Sequence, residues 1–298
     1  MRSGLTATMD LGFTPSGVAR TFALLARGAK LAFSRDPVIA AEIGVGTVEL
    51  EALGAWLRFA GLVESGRDTV SLSDLGILIH AHDPRLADPA TWWIMHWNLA
   101  RNYVVWHILS QLGYVVHRVE DIDAALTELA PERSRRTISN ARIALVRALE
   151  QTPLGRELGI VSLEVEGGRV TGLEKLRVRH GDAPMAVVAY ALLDWARGEQ
   201  LGSAALESLA APGGPGPILH MSEGALERYL IEVDGAFRGR VLSYSRTAGL
   251  NEAYFKAEVT PLQVLASHYV RQSEGLEWPQ ALERAEREVE GDVDSERE

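Results

Sequence analysis

The sequence predicts a mainly helical α+β protein, with several winged-helix-like helix-turn-helix modules around a central aromatic helix. Three observations predict it. Residues 37–79 read as helix, turn, longer helix, short hairpin and new helix, the order of a winged helix-turn-helix. A helix, turn, Gly-Leu, strand and helix order recurs around 62, 160 and 250. Between the first two of these, Trp92, Trp93, Trp97, Tyr103, Trp106 and Tyr114 crowd into one predicted helix over 89–116.

Residues 14–33 form the first predicted helix. Its apolar side carries Phe22, Leu25 and the run to Phe33. Arg20, Arg27 and Lys30 recur at spacings of seven and three, on one side. That side is either a solvated face or an arm that contacts phosphate. In the first winged-helix candidate, Leu50, Leu53, Trp56, Leu57 and Ala60 fall on the buried face of the longer helix. Thr47, Glu51, Gly54 and Arg58 fall opposite. A helix that reads a major groove needs several donors and few acids, and this one offers little. Such a module serves DNA or a protein partner.

The tryptophan segment reads as a buried helix rather than a base-stacking platform, because only Arg101 and Arg118 lie near it. Residues 121–130 and 133–150 then form a second helix pair. Ile138, Ala141, Leu145, Ala148 and Leu149 supply the buried face. Arg133, Arg136, Asn140 and Arg147 lie within about 60° of one another on the far side. Arg135, Ser139 and Arg142 widen that polar surface. A hairpin over 161–176 follows, with Gly167-Gly168 as its turn. This second module is the stronger nucleic-acid candidate, since six arginines between 133 and 156 meet at most two acids.

Further on, 183–198 is an apolar helix, and the Pro/Gly-rich 211–221 is a rigid connector that feeds a short strand. The third recurrence spans 222–272. It has a helix capped by Ser222, a short helix over 240–250, a strand at 254–259 and a helix opening at Thr260-Pro261. The domains expected are 1–88, 89–180 and 181–282, followed by a disordered acidic tail over 283–298.

Composition narrows the function classes. The chain has no cysteine, which removes disulfides, thiolate metal sites and a cysteine nucleophile. It shows no signal peptide pattern and no apolar run long enough to span a membrane, so a cytoplasmic location is expected. Net charge is −10, too acidic to coat nucleic acid by bulk attraction. Residues 283–298 hold eight acids and three arginines, a net of −5, which leaves −5 for the rest. Basic residues are 27 Arg and 3 Lys, and only local clustering turns that bias into a phosphate-binding argument.

Motifs for catalysis are sparse. No GxSxG, HExxH or Walker pattern occurs. His80-x-His82-Asp83 is the one close cluster with metal-ligand character, and a solvated loop is its alternative reading. His96 and His107 are eleven residues apart on one face, about 16 Å, too far for one ion. Lys175 with Glu164, Glu166 and Glu174 is the nearest approach to a nuclease core, and those acids equally suit a wing surface.

Several segments carry a family resemblance: VARTFALLARGAK, Asp36-Pro37-Val38, the Gly44-Val45-Gly46 turn, TWWIMHWNLA at 91–100, GGPGP at 213–217 and the closing AGL…TPLQVLASHY. Over most of residues 13–272 their order resembles an uncharacterised bacterial family of phosphorothioate DNA-modification and phage-defence islands. Members look like the SspB-type component of single-strand phosphorothioation. Members often carry lysine and asparagine after the GVG turn, where this chain has Thr47-Val48-Glu49. The resemblance implies a DNA-binding accessory protein that nicks DNA beside sulfur-transfer, PAPS-reductase-like partners. A nickase would require a divalent metal and carboxylates, for which Asp36, His80, His82 and Asp83 are the candidates. The other function class is a non-enzymatic winged-helix regulator or adaptor. Candidate DNA contacts are Arg133, Arg135, Arg136, Asn140, Arg142 and Arg147, with Arg20, Arg27 and Lys30.

Overall fold

Helix starts are where this chain is most explicit. Pro-initiated or Ser/Thr/Asp-capped helices recur along it, and each cap consumes an amide that would otherwise be left orphaned. The computed structural model describes residues 4–29, 33–66, 69–247 and 250–295, and the chain divides into two compact units, Met1–Arg177 and Val178–Glu298. Each unit has its own core.

In the first unit, α1 (Pro15–Ala26) is capped by Thr14 and α2 (Pro37–Ile43) by Asp36. The helix expected over 14–33 stops early: α1 ends at Ala26, and Lys30 falls outside the described residues. Gly44 closes α2 in the left-handed region, φ 75°, which only glycine adopts without strain. The turn leads into α3 (Thr47–Phe59), then the hairpin β1 (Val63–Ser65) and β2 (Val70–Leu72), then α4 (Asp74–His82).

The aromatic segment is two helices rather than one. α5 (Pro89–Asn102) and α6 (Val104–Gln111) break at Tyr103, whose backbone is extended at φ −118°, ψ 117°. No proline or glycine marks the break. It sets the Tyr103 ring stacked on Phe59 at 4.5 Å and its hydroxyl 2.6 Å from Thr8 Oγ1. Trp56 stands edge-on to both Tyr103 and Trp106. Trp92, Trp93, Trp97 and Trp106 are all buried, so the core reading of this segment stands.

The unit closes with β3 (Val116–Arg118), α7 (Val119–Leu129), α8 (Arg135–Gln151), α9 (Pro153–Arg156), β4 (Val161–Glu166) and β5 (Arg169–Lys175). These strands form an antiparallel sheet in the order β3-β5-β4. Gly167 and Gly168, φ 58° and 77°, make the two-residue turn expected of this hairpin. β3 begins where the tryptophan helix is expected to end; three residues are too few to show a period of two.

The second unit runs α10 (Met185–Gly198), β6 (Ser203–Ala205), α11 (Leu206–Ala210), α12 (Pro215–Ile218), α13 (Glu223–Ala236), β7 (Leu242–Thr247), β8 (Leu250–Phe255), α14 (Pro261–Glu274) and α15 (Trp278–Ser295). Its sheet order is β6-β8-β7. Two sequence readings change here. Residues 242–247 are a strand, not a short helix, because Leu242 and Tyr244 alternate with Ser243 and Ser245. The GGPGP connector enters a helical turn, α12, rather than a strand. The recurrence therefore begins at α10, three helices earlier than the Ser222-capped helix the sequence suggests.

The acidic end is not a disordered tail from 283 onward. α15 continues to Ser295, with Ala281, Leu282 and Ala285 buried. Arg240 holds it by ion pairs to Glu283, 3.2 Å, and Glu286, 2.8 Å. Arg271 stacks over its first residue, Trp278, at 4.9 Å. No helix among the described residues is long and apolar enough to cross a membrane.

Candidate nucleic-acid interface

α8 starts from Ser134, whose hydroxyl accepts from the Thr137 amide at 3.2 Å. Ile138, Ala141, Leu145 and Leu149 turn inward and fix the helix by one face. The polar face then divides into two halves. Arg135 and Arg136 are exposed and make no ion pair among the described residues, and Arg133 meets only its exposed neighbour Glu132 at 3.0 Å. Such a surface pair is worth well under 1 kcal/mol and yields readily to a phosphate. Asn140 is half-buried next to Arg136 on the same stripe.

The second half of the helix is already occupied. Arg142 Nε donates to Asp123 Oδ1 at 2.8 Å, and its Nη2 to Ser139 Oγ at 3.2 Å, which fastens α8 to α7. Arg147 Nη1 donates to the backbone oxygen and the carboxylate of Asp10, the latter at 3.1 Å. Gly12 lies against Ala148 so closely that a β-carbon would come within 2.9 Å of its amide. Two of the arginines expected at DNA therefore position the helix, and Arg133, Arg135 and Arg136 stay available.

Arg20 lies on α1 and Arg27 caps its end, both over α2. The Arg20 guanidinium sits on Gly44, and Arg27 stands 3.8 Å from Glu42 across two exposed side chains. α3 exposes few donors. Its exposed strip holds Val48, Glu49 and Arg58. Glu49 accepts from the Gly46 amide at 2.7 Å, and Glu51 pairs with Arg35 at 2.9 Å. Gly54, expected on the outer face, is buried beneath Phe33, where a β-carbon would collide with the ring.

The catalytic candidates are mostly spent on structure. Asp36 caps α2 by accepting from Val38 and Ile39. Asp83 is buried, and its two oxygens accept from the amides of Ala87 and Asp88 and from the Thr91 hydroxyl. His80 turns its ring edge-on to Phe22, and its Nδ1 is buried without a hydrogen-bond partner. His82 ends α4, beside Asp83. Among the described residues no three His, Asp or Glu side chains converge as metal ligands. Asp36, His80, His82 and Asp83 are therefore not brought together as one ligand set.

His96 is likewise a core residue, its Nδ1 accepting from Trp106 Nε1 at 3.0 Å. Lys175, on the face of β5 opposite Glu174, reaches back to the carbonyls of Ser110 and Leu112, each at 3.1 Å. It caps α6 instead of joining Glu164, Glu166 or Glu174. Burial and the neighbouring Arg177 lower its ammonium to about 8.

A family of proteins of unknown function (DUF4007) matches residues 20–145, which takes in α2 through most of α8. No curated protein matches the chain. Two solved structures share the fold. The crystal structure of magnesium ion-bound SspB superposes with a TM-score of 0.73 at 19% identity, over 97% of each chain. A second SspB crystal structure gives 0.72 at 17% identity, over 95% of this chain and 97% of that one. Over 97% of its length, the chain shares the fold of SspB.

Proposed function

We propose that this protein is a DNA-binding component of a DNA phosphorothioation system, working beside sulfur-transfer enzymes in the cytoplasm. In this reading α6, β3, α7, α8, β4 and β5 form a winged helix, with α8 in the recognition position. The observation that carries the reading is the arginine start of α8. Arg133, Arg135 and Arg136 stand exposed on one turn, in a chain whose fold is shared with SspB. Arginine forks suit phosphate oxygens, and Asn140 one turn further on can approach a base edge.

The reading ends at binding. A nicking step needs a polarised phosphodiester and an activated nucleophile. The acids considered for that step hold helix caps and a loop, so no step is assigned to them. Binding of the full chain to a labelled duplex, followed by anisotropy across a salt series, tests the proposal. Affinity should fall steeply as salt rises. Absence of binding at low salt would refute it. Supercoiled-plasmid relaxation, with and without added magnesium, separately decides whether strands are cut.

A further inference from the structure

The base of β5 carries a second cationic feature, remote in sequence from the arginine start of α8. Tyr114 follows the end of α6, half-buried. Lys175 Nζ lies over its ring at 4.7 Å, and the Arg177 guanidinium lies over the same ring at 4.0 Å. Two like charges thus lie against one aromatic ring. Lys175 is 3% exposed, and besides the ring its ammonium meets the carbonyls of Ser110 and Leu112. Neither cation forms an ion pair among the described residues. Glu174, next to Lys175 in sequence, alternates to the other side of the strand.

A guanidinium held over an aromatic ring keeps its N–H donors for a further partner, and Arg177 is exposed. Buried positive charge behind it adds attraction without adding a competing acid. Burial first, and the neighbouring Arg177 second, depress Lys175, and a bound anion would offset both.

We propose that Arg177, stacked on Tyr114 and backed by Lys175, is a phosphate-binding site. Phosphate could reach it as a free anion or as the backbone of DNA, and the two sources are separable. The site does not depend on the reading of α8, so either can fail alone.

Inorganic phosphate titrated into labelled protein, read at the Arg177 Nε–H by NMR, should give a saturable shift. The shift should vanish in Arg177→Gln, monitored on its backbone amide and that of Tyr114, and persist in Arg177→Lys. Arg177 is exposed, so both variants should fold. Duplex binding supplies the other arm. If the DNA backbone is the source, Arg177→Gln should lower the salt slope by about 0.9. An unchanged slope, with the phosphate shift abolished in Arg177→Gln, identifies a free phosphate-bearing ligand. An equal phosphate response in wild type and Arg177→Gln, or none in wild type with an unchanged slope, overturns the site.

Discussion

Two modules of this protein follow one plan and differ in charge. The first runs α6, β3, α7, α8, β4, β5; the second runs α10, β6, α11, α13, β7, β8. The first inserts α9 before its hairpin and the second inserts α12 before its long helix. Both sheets place the third strand in the middle, β3-β5-β4 and β6-β8-β7. Both long helices start from a serine cap, Ser134 and Ser222. Counting from the cap, positions four, seven and eleven are buried in each, as Ile138, Ala141 and Leu145 and as Leu226, Tyr229 and Val233.

Charge does not follow the plan. α8 carries four arginines against Glu150, a net of +3; α13 carries Arg228 against Glu223, Glu227, Glu232 and Asp234, a net of −3. The acids of α13 have local work. Glu227 takes Arg246 at 2.8 Å, Glu232 takes His180 at 2.8 Å, and Asp234 accepts from the Tyr244 amide at 2.9 Å. A few buried positions and a cap fix the module, and the solvent side is then free to change sign. Only the module with a positive helix suits a phosphate backbone.

The shared frame meets its hardest test in the core. Leu145→Ala and Leu226→Ala each empty a fully buried site, so each should cost about 2–5 kcal/mol in denaturant unfolding. A large loss in one module and none in the other would break the equivalence. Next comes charge. Arg135→Glu with Arg136→Glu should weaken duplex binding on the order of 100-fold, because two charge-assisted hydrogen bonds to phosphate give way to repulsion. Glu223→Arg on α13 should change affinity far less; comparable effects from both helices would erase the distinction drawn between them.

A smaller effect concerns Lys175. Its folded pKa lies below the value of about 10.4 expected unfolded, so the unfolded chain binds more protons between about 8 and 10.4. Stability contributed by this residue is therefore lowest below about pH 8 and recovers as pH rises through that window. Lys175→Met should flatten the rise relative to wild type, and parallel curves would show that the ammonium is not depressed. Smallest is Arg142→Ala. Its partly exposed pair with Asp123 should contribute about 1 kcal/mol or less, and the salt slope should be unchanged. A shallower slope would return Arg142 to the DNA surface.

Much of this is legible in the sequence because helix signals are local. Caps at Thr14, Asp36, Ser134, Ser222 and Thr260, the Gly167-Gly168 turn and the buried tryptophans all follow from nearby residues. Short strands do not. β3 and β6 have three residues each, and β7 alternates over only six. The break at Tyr103 comes from tertiary packing against Phe59 and Thr8, which no local pattern encodes. For the candidate interface, periodicity separates the buried face of α8 from its polar face. It cannot separate Arg135 and Arg136 from Arg142 and Arg147, because Asp10 and Asp123 are distant in sequence. The Arg177 and Tyr114 pair escapes sequence reasoning for the same cause: 63 positions separate two side chains that touch.

The central claim is that the start of α8 provides the contact with DNA. The salt dependence of duplex affinity for Arg135→Ala with Arg136→Ala tests it most directly. Removing two phosphate-binding arginines should make the slope of log affinity against log salt shallower by about 1.8. A slope equal to that of wild type, in a variant with unchanged stability, would contradict the account.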